Sequence, residues 1–209
     1  MFDTDKKDAA FSMPLLDVPV LSQWPDFPTG CESVSAVMLL SYHGYDVDVS
    51  TFVKNFLPKN NVFYKEKGKR FGPDPFEFFV GDPKKRNAYG CMAPVIEKAL
   101  ISCMKCENRV RNLTGAGFDM LCRDHIDWGR PVLVWVTIGM MESYPGNDWY
   151  LKDGSHFYWP ANEHCMVLIG YDDQHYYFND PYEGKKTAYE KEICTLRYNT
   201  LGKQALTVV

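Results

Sequence analysis

The sequence predicts an α+β domain in which N-terminal helices pack on an antiparallel sheet. Helix-period apolar patterns come first along the chain and strand patterns follow them, the order of an α+β fold rather than of a doubly wound one. Near the end, Cys165–Tyr171 and His175–Asn179 are strand-length runs joined by Asp172-Asp-Gln174, a hairpin signal that makes the two strands antiparallel neighbours. No internal repeat interrupts this order.

Taken in order, residues 1–13 read as a polar tail, and residues 14–209 as one domain. Pro14–Gln23 is extended, and Trp24–Gly30 is a turn with two prolines and a glycine. Cys31–His43 is a helix on the period of Val34, Val37, Met38 and Leu40, with small residues between and Gly44 to end it. Val49–Leu57 is a second helix, with Ser50 as its N-cap. Residues 58–90, rich in Lys, Gly, Pro and Phe, show no period and read as a long loop. Ala93–Cys103 is a helix, Arg109–Leu113 a strand, Phe118–Trp128 a helix closed by Gly129, and Pro131–Ile138 a buried strand. Residues 139–163 read as a second, aromatic-rich loop, and Ala205–Val209 as the last strand.

Composition narrows the function classes. The chain of 209 residues is 45% hydrophobic and 24% charged, enough to bury a core without staples. A net charge of −4 argues against nucleic acid as a partner, and the Lys/Arg clusters at 65–70 and 84–86 lie among Gly and Pro, as solvated loops do. The longest apolar run, Pro131–Val136, is strand-sized, so no membrane span is expected. Met1–Asp8 is polar without the apolar core of a signal peptide. It predicts a cytoplasmic protein, or one of the cell exterior or envelope if an export leader has been removed. Seven cysteines is an odd number, so at least one thiol is free.

That thiol is best sought at Cys31. A Gly/Pro turn delivers it into the first turn of a small-residue helix, where unpaired N–H groups and the helix dipole favour a thiolate and an oxyanion. The alternative is a buried cysteine acting as a small hydrophobe. A nucleophile needs a base, and five histidines are available. His43 stands three helical turns away, His125 lies in a helix, and His175 opens the outgoing hairpin strand. His156, in the aromatic loop, competes with His164, which begins the strand His164–Gly170. The hairpin favours His164. With the turn at 172–174, residue 164 pairs near 181–182, and Asp180 becomes its close same-face neighbour. A carboxylate there fixes the imidazole, as a nucleophile–base–orienter relay requires. Asn179 points the other way and serves only if a bulge shifts the register.

The stretches Val18–Gln23, Pro28–Gly44, Gly129–Thr137 and His164–Pro181 resemble, in order, the stand-alone branch of papain-like cysteine peptidases related to the bacteriocin-processing, double-glycine-leader peptidases. The similarity spans roughly residues 17–209. It implies a papain-like fold with Cys31 as nucleophile, His164 as base and Asp180 as orienter. It also implies that Gln23, otherwise read as a surface residue, donates its side-chain amide to an oxyanion hole. Glu32 follows Cys31 where the exporter-linked peptidases have a different sequence, so cleavage of double-glycine leaders is not implied.

Other constellations carry less. Cys103-Met-Lys-Cys106 and Cys122-Arg-Asp-His125 have zinc-like spacing, but Cys122 and Cys103 continue the apolar faces of their helices and read as packing. Asp172 and Asp173 suit a turn better than a calcium cage. The expected protein is therefore a bacterial thiol peptidase acting on a peptide or protein substrate with no cofactor or metal. Acyl transfer, cell-wall amide hydrolysis and non-catalytic peptide binding are the alternatives on the same fold.

Overall fold

The helix that begins at Cys31 is enclosed on every side. In the structure, a computed structural model describing residues 15–209, it runs Cys31–Tyr42 (α1), and all of its residues from Cys31 to Leu40 are buried. The tail predicted over residues 1–13 lies outside the described residues. A helix covered all round carries no polar stripe. Its small Ser33, Ser35 and Ala36 let neighbours approach, and Val34, Val37, Met38, Leu39 and Leu40 are at most 2% exposed. Each of those five stabilises the fold by about 1.5–3 kcal/mol as an upper estimate.

Helix α2, Val49–Asn55, is capped by Asp48, which accepts the Thr51 N–H at 2.8 Å. The predicted cap, Ser50, is already inside the helix. Asp48 has the extended backbone that an N-cap needs. The region expected to be a loop then forms four short strands: β1 (Lys59–Asn60), β2 (Tyr64–Glu66), β3 (Lys69–Phe71) and β4 (Phe79–Val80). Next come α3 (Ala93–Met104), β5 (Val110–Asn112) and α4 (Phe118–Asp124). A separate turn of 3₁₀ helix, Ile126–Trp128, closes at Gly129, so the predicted long helix is two short ones. The buried strand β6 is Val132–Thr137.

The second expected loop is also a hairpin, of β7 (Pro145–Tyr150) and β8 (His156–Pro160). The chain ends with β9 (Glu163–Tyr171), β10 (His175–Asp180), β11 (Lys185–Glu190), α5 (Lys191–Thr200) and β12 (Ala205–Val208).

Six strands form the main sheet in the order β11-β10-β9-β6-β12-β5, with every pairing antiparallel. Alternation divides its side chains between two cores. Leu133, Trp135, Cys165, Val167 and Ile169 face α1 and α3. Val132, Val134, Val136, Met166 and Leu168 face the other way, towards Phe118, Cys194 and Tyr198 of α4 and α5. A second sheet, β2-β3-β7-β8, packs its Trp149, Phe157 and Trp159 with Phe63 and Tyr89. This is the predicted α+β architecture of helices on an antiparallel sheet, with an added small sheet.

Candidate active site

The chain reaches Cys31 through a passage open only to glycine. A Cβ on Gly30 would lie 2.9 Å from the Phe27 Cβ and 3.1 Å from the Pro83 Cβ. Gly30 is the N-cap of α1 and provides no side-chain cap, so first-turn N–H groups remain available to an anion. One turn on, Ser35 Oγ donates to the Cys165 carbonyl at 3.0 Å, fastening α1 to β9 one residue past His164.

His164 and Asp180 meet through the hairpin. Phe178 pairs with Leu168 and Asn179 with Val167, beyond a bulge at Tyr177/Phe178. Extending that register sets position 164 opposite 182 and makes Asp180 the diagonal, same-face neighbour of His164. Asp180 Oδ1 lies 2.7 Å from His164 Nε2, and both residues are 1% exposed. The same oxygen accepts the N–H groups of Tyr182 at 2.8 Å and Glu183 at 3.3 Å. Burial pushes the Asp180 carboxyl up, but the His164 hydrogen bond and charge, with these two N–H donors, hold it below the usual carboxylate range. With Nε2 engaged, Nδ1 is the nitrogen left for proton transfer. The Tyr182 ring stands edge-on to His164 at 6.1 Å and makes an edge contact with Trp24, 5.4 Å away. Asn179 turns to the opposite face, where Nδ2 donates to the Val18 carbonyl at 2.8 Å.

Gln23 is 3% exposed, not the surface residue its chemistry alone suggests. Its backbone N–H donates to the carbonyl of Pro181, next to Asp180, at 2.9 Å. Its Nε2 donates to the Pro28 carbonyl at 2.9 Å, which leaves the second amide hydrogen unassigned. The turn between Gln23 and Cys31 is thereby closed on itself, with the amide held at its base.

One expectation is reversed. The helix N-terminus was expected to lower the Cys31 thiol, yet its surroundings push it well above the ordinary thiol range. Burial is the main cause, followed by the carboxyls of Glu32 and Glu163 and the thiol of Cys165, against which the Cys165 N–H works. Cys31 Sγ donates to Glu32 Oε2 at 3.3 Å. Sequence reasoning noted Glu32 only as a departure from the exporter-linked peptidases and did not consider Glu163, although each adjoins a predicted site residue. Cys31, Glu32 and Glu163 bring a sulfur and two carboxylate oxygens within 4.8 Å of one another, the potential metal-ligand group that the described residues assemble. The zinc-like cysteines are placed differently. Cys122 packs beside Phe118 and Ile126, and Cys103 and Cys106 lie half-buried against the other core.

The remaining histidines serve other parts of the fold. His156 belongs to the second sheet, with Nε2 2.6 Å from Asp148 Oδ2 and its ring stacked on Tyr150. His43 and His125 cap the ends of α1 and α4. His175 adjoins the turn that Asp172 fastens, where Oδ1 accepts the Gln174 and His175 N–H groups at 2.7 and 2.6 Å. A cavity of about 610 Å³ is lined by Asn60, Tyr64, Pro73 and Lys152, and none of Gln23, Cys31, His164 and Asp180 lines it.

Residues 15–206 match the sequence model of the Peptidase_C39 like family. The chain is 28% identical to the uncharacterized protein YvpB of Bacillus subtilis (strain 168), an alignment covering 99% of this chain and 82% of YvpB. Its fold superposes on the crystal structure of a "putative C39-like peptidase" from Bacillus anthracis with a TM-score of 0.82. That likeness has 26% sequence identity over 95% of this chain and 97% of the other.

Proposed function

The chain belongs to the Peptidase_C39 like family, and from that premise we propose that it is a cysteine peptidase that cleaves a peptide or related amide bond through a thioester on Cys31. The observation that carries the reading is the buried 2.7 Å contact of His164 and Asp180 on the strand to which Ser35 fastens the start of α1. A carboxylate that fixes an imidazole is what the base of a nucleophilic thiol requires, and Cys165, next to His164 in the chain, is among the groups that surround the Cys31 thiol.

His164 takes the thiol proton as Cys31 Sγ attacks the carbonyl carbon and the S–C bond forms. The raised thiol makes this proton transfer part of the attack, rather than a step completed at rest. Charge gathers on the carbonyl oxygen, where the Cys31 backbone N–H and the second amide hydrogen of Gln23 are the donors. Collapse breaks the C–N bond, and the amine leaves with the proton from His164. Water, deprotonated by His164, then attacks the thioester, releasing the acid and returning the proton to the thiol. Asp180 keeps Nε2 engaged throughout and stabilises the imidazolium.

The test is activity profiling with a peptide library, alongside Cys31→Ala and His164→Ala. Cleavage that disappears in both variants, with an acyl group trapped on Cys31 in the parent, supports the reading. Undiminished cleavage in Cys31→Ala would overturn it.

A further inference from the structure

The two basic clusters of the sequence, at 65–70 and 84–86, contribute to one cavity. Its volume is about 550 Å³, and Arg70 of the first cluster and Lys85 of the second both line it. Asn61 and Asn87 line it as well. Asp82 is the acid among the lining residues, and its Oδ1 already accepts the Lys84 N–H at 3.0 Å. Arg70 is half-buried, with its guanidinium over the Phe63 ring at 4.1 Å. A guanidinium seated on a ring is ordered and keeps its edge donors for a carboxylate. Among the described residues, neither Arg70 nor Lys85 is in an ion pair. Two cations therefore face one acid here, in a chain whose net charge is −4.

The cavity is fastened to the turn that delivers Cys31. Thr29 Oγ1 donates to the Lys85 carbonyl at 3.0 Å, and the Thr29 N–H donates to the Pro83 carbonyl at 3.4 Å. Lys85 is held through its carbonyl, so its exposed side chain takes no part in the anchor. The segment comes back to α1 at its far end. Tyr89 lines the cavity, and two residues on the Cys91 N–H donates to Glu32 Oε1 at 2.6 Å. Thr29 stands two residues before Cys31. At 3.3–3.6 Å per residue, Lys85 is within about five residues of extended peptide from the nucleophile.

We propose that this cavity is a substrate subsite for an acidic side chain, Asp or Glu, within about five residues of the scissile bond. Arg70 and Lys85 are the residues that set the preference. The inference rests on the peptidase reading and names the substrate class of that site. Arg70 presents paired donors that match the two oxygens of a carboxylate, and Lys85 adds a point charge. The Asn61 and Asn87 amides supply neutral donors. A basic side chain in the same place meets two like charges, which excludes it.

The experiment uses the full chain and separates binding from cleavage. Dye-labelled peptides ten residues long, identical except for Glu or Lys at one position, are titrated into Cys31→Ala and followed by fluorescence anisotropy. At positions that reach the cavity, Glu peptides should bind about tenfold more tightly than Lys peptides. High salt should narrow that difference. Adding Lys85→Glu or Arg70→Glu to Cys31→Ala should reverse the preference. Adding Lys152→Glu, the same change of charge at the other cavity, should keep it. Cleavage sites mapped with the parent on a peptide library should carry Asp or Glu within five residues.

Equal binding of Glu and Lys peptides would overturn the proposal. So would a preference that Lys152→Glu removes as fully as Lys85→Glu does, or cleavage sites indifferent to nearby acids. Failure of the peptidase reading looks different. Cleavage undiminished in Cys31→Ala would count against the nucleophile, while the preference for Glu peptides would remain in the titration.

Discussion

Asp180 reaches His164 diagonally across the β9–β10 pair, 2.7 Å from Oδ1 to Nε2, while Asn179 beside it faces the opposite side of the sheet. Period-two alternation makes adjacent residues of one strand do unrelated work. Asp180 engages His164, and Asn179 holds the leading segment through the Val18 carbonyl.

Asp180→Ala should lower kcat by about 10²–10⁴-fold, because the imidazole loses its orientation and its counter-charge. Steady-state turnover on a library-derived peptide measures this. The folded Asp180 lies below its unfolded range, so its contribution to stability is present above the unfolded pKa and is lost as pH falls through the folded one. Acid melting of the variant should consequently begin from a lower plateau.

Gln23→Ala should cost about 10²–10³-fold in kcat and leave the pH dependence of Cys31 alkylation nearly unmoved, since an oxyanion donor acts only when substrate charge develops. Because Nε2 also holds the Pro28 carbonyl, denaturant melts should show a loss of about 0.5–1.5 kcal/mol. A thiol titration moved as far as in His164→Ala would show that the amide organises the resting site.

Cys31 should react slowly with iodoacetamide at pH 6 in the substrate-free protein, behind the half-buried Cys106. Burial and two neighbouring carboxyls oppose the thiolate, and its rate should climb with pH. Peptide mapping after brief alkylation decides the order. Preferential labelling of Cys31 at pH 6 would indicate that the helix terminus outweighs the acids.

Stability should fall from pH 5 to pH 8. Glu32 and Glu163 bind protons more tightly folded than unfolded, so the stability present below about 4.3, the unfolded value, is lost as pH rises through the folded values. The loss is on the order of 3 kcal/mol for a shift the size of that at Glu32. Glu32→Gln should flatten the dependence of Tm on pH over this window.

The sequence was informative where a pattern is local. Cys31 opens α1 because a Gly/Pro turn and a run of small residues say so within one short stretch. Asp180 falls beside His164 because the turn makes the two strands neighbours and the bulge at Tyr177/Phe178 then shifts the register by one, which puts Asp180 on the face of His164. The second sheet was not legible. The residues of β2 are all exposed, and β7 begins Pro-Gly-Asn-Asp, so neither carries an alternation that marks a strand. Helix α5 escaped notice because its buried residues, Cys194 and Tyr198, give a period only one turn long.

By itself the sequence determined the α+β order of elements, the start of the Cys31 helix and the antiparallel hairpin that carries His164 and Asp180. These follow from periodicity, turn chemistry and strand alternation, all set by neighbours in the chain. Only the tertiary structure decided the environment of the thiol. Glu32 and Glu163 are 131 residues apart in number. The desolvation that raises both, and Cys31 with them, exists only once α1 and β9 close over the same dry space.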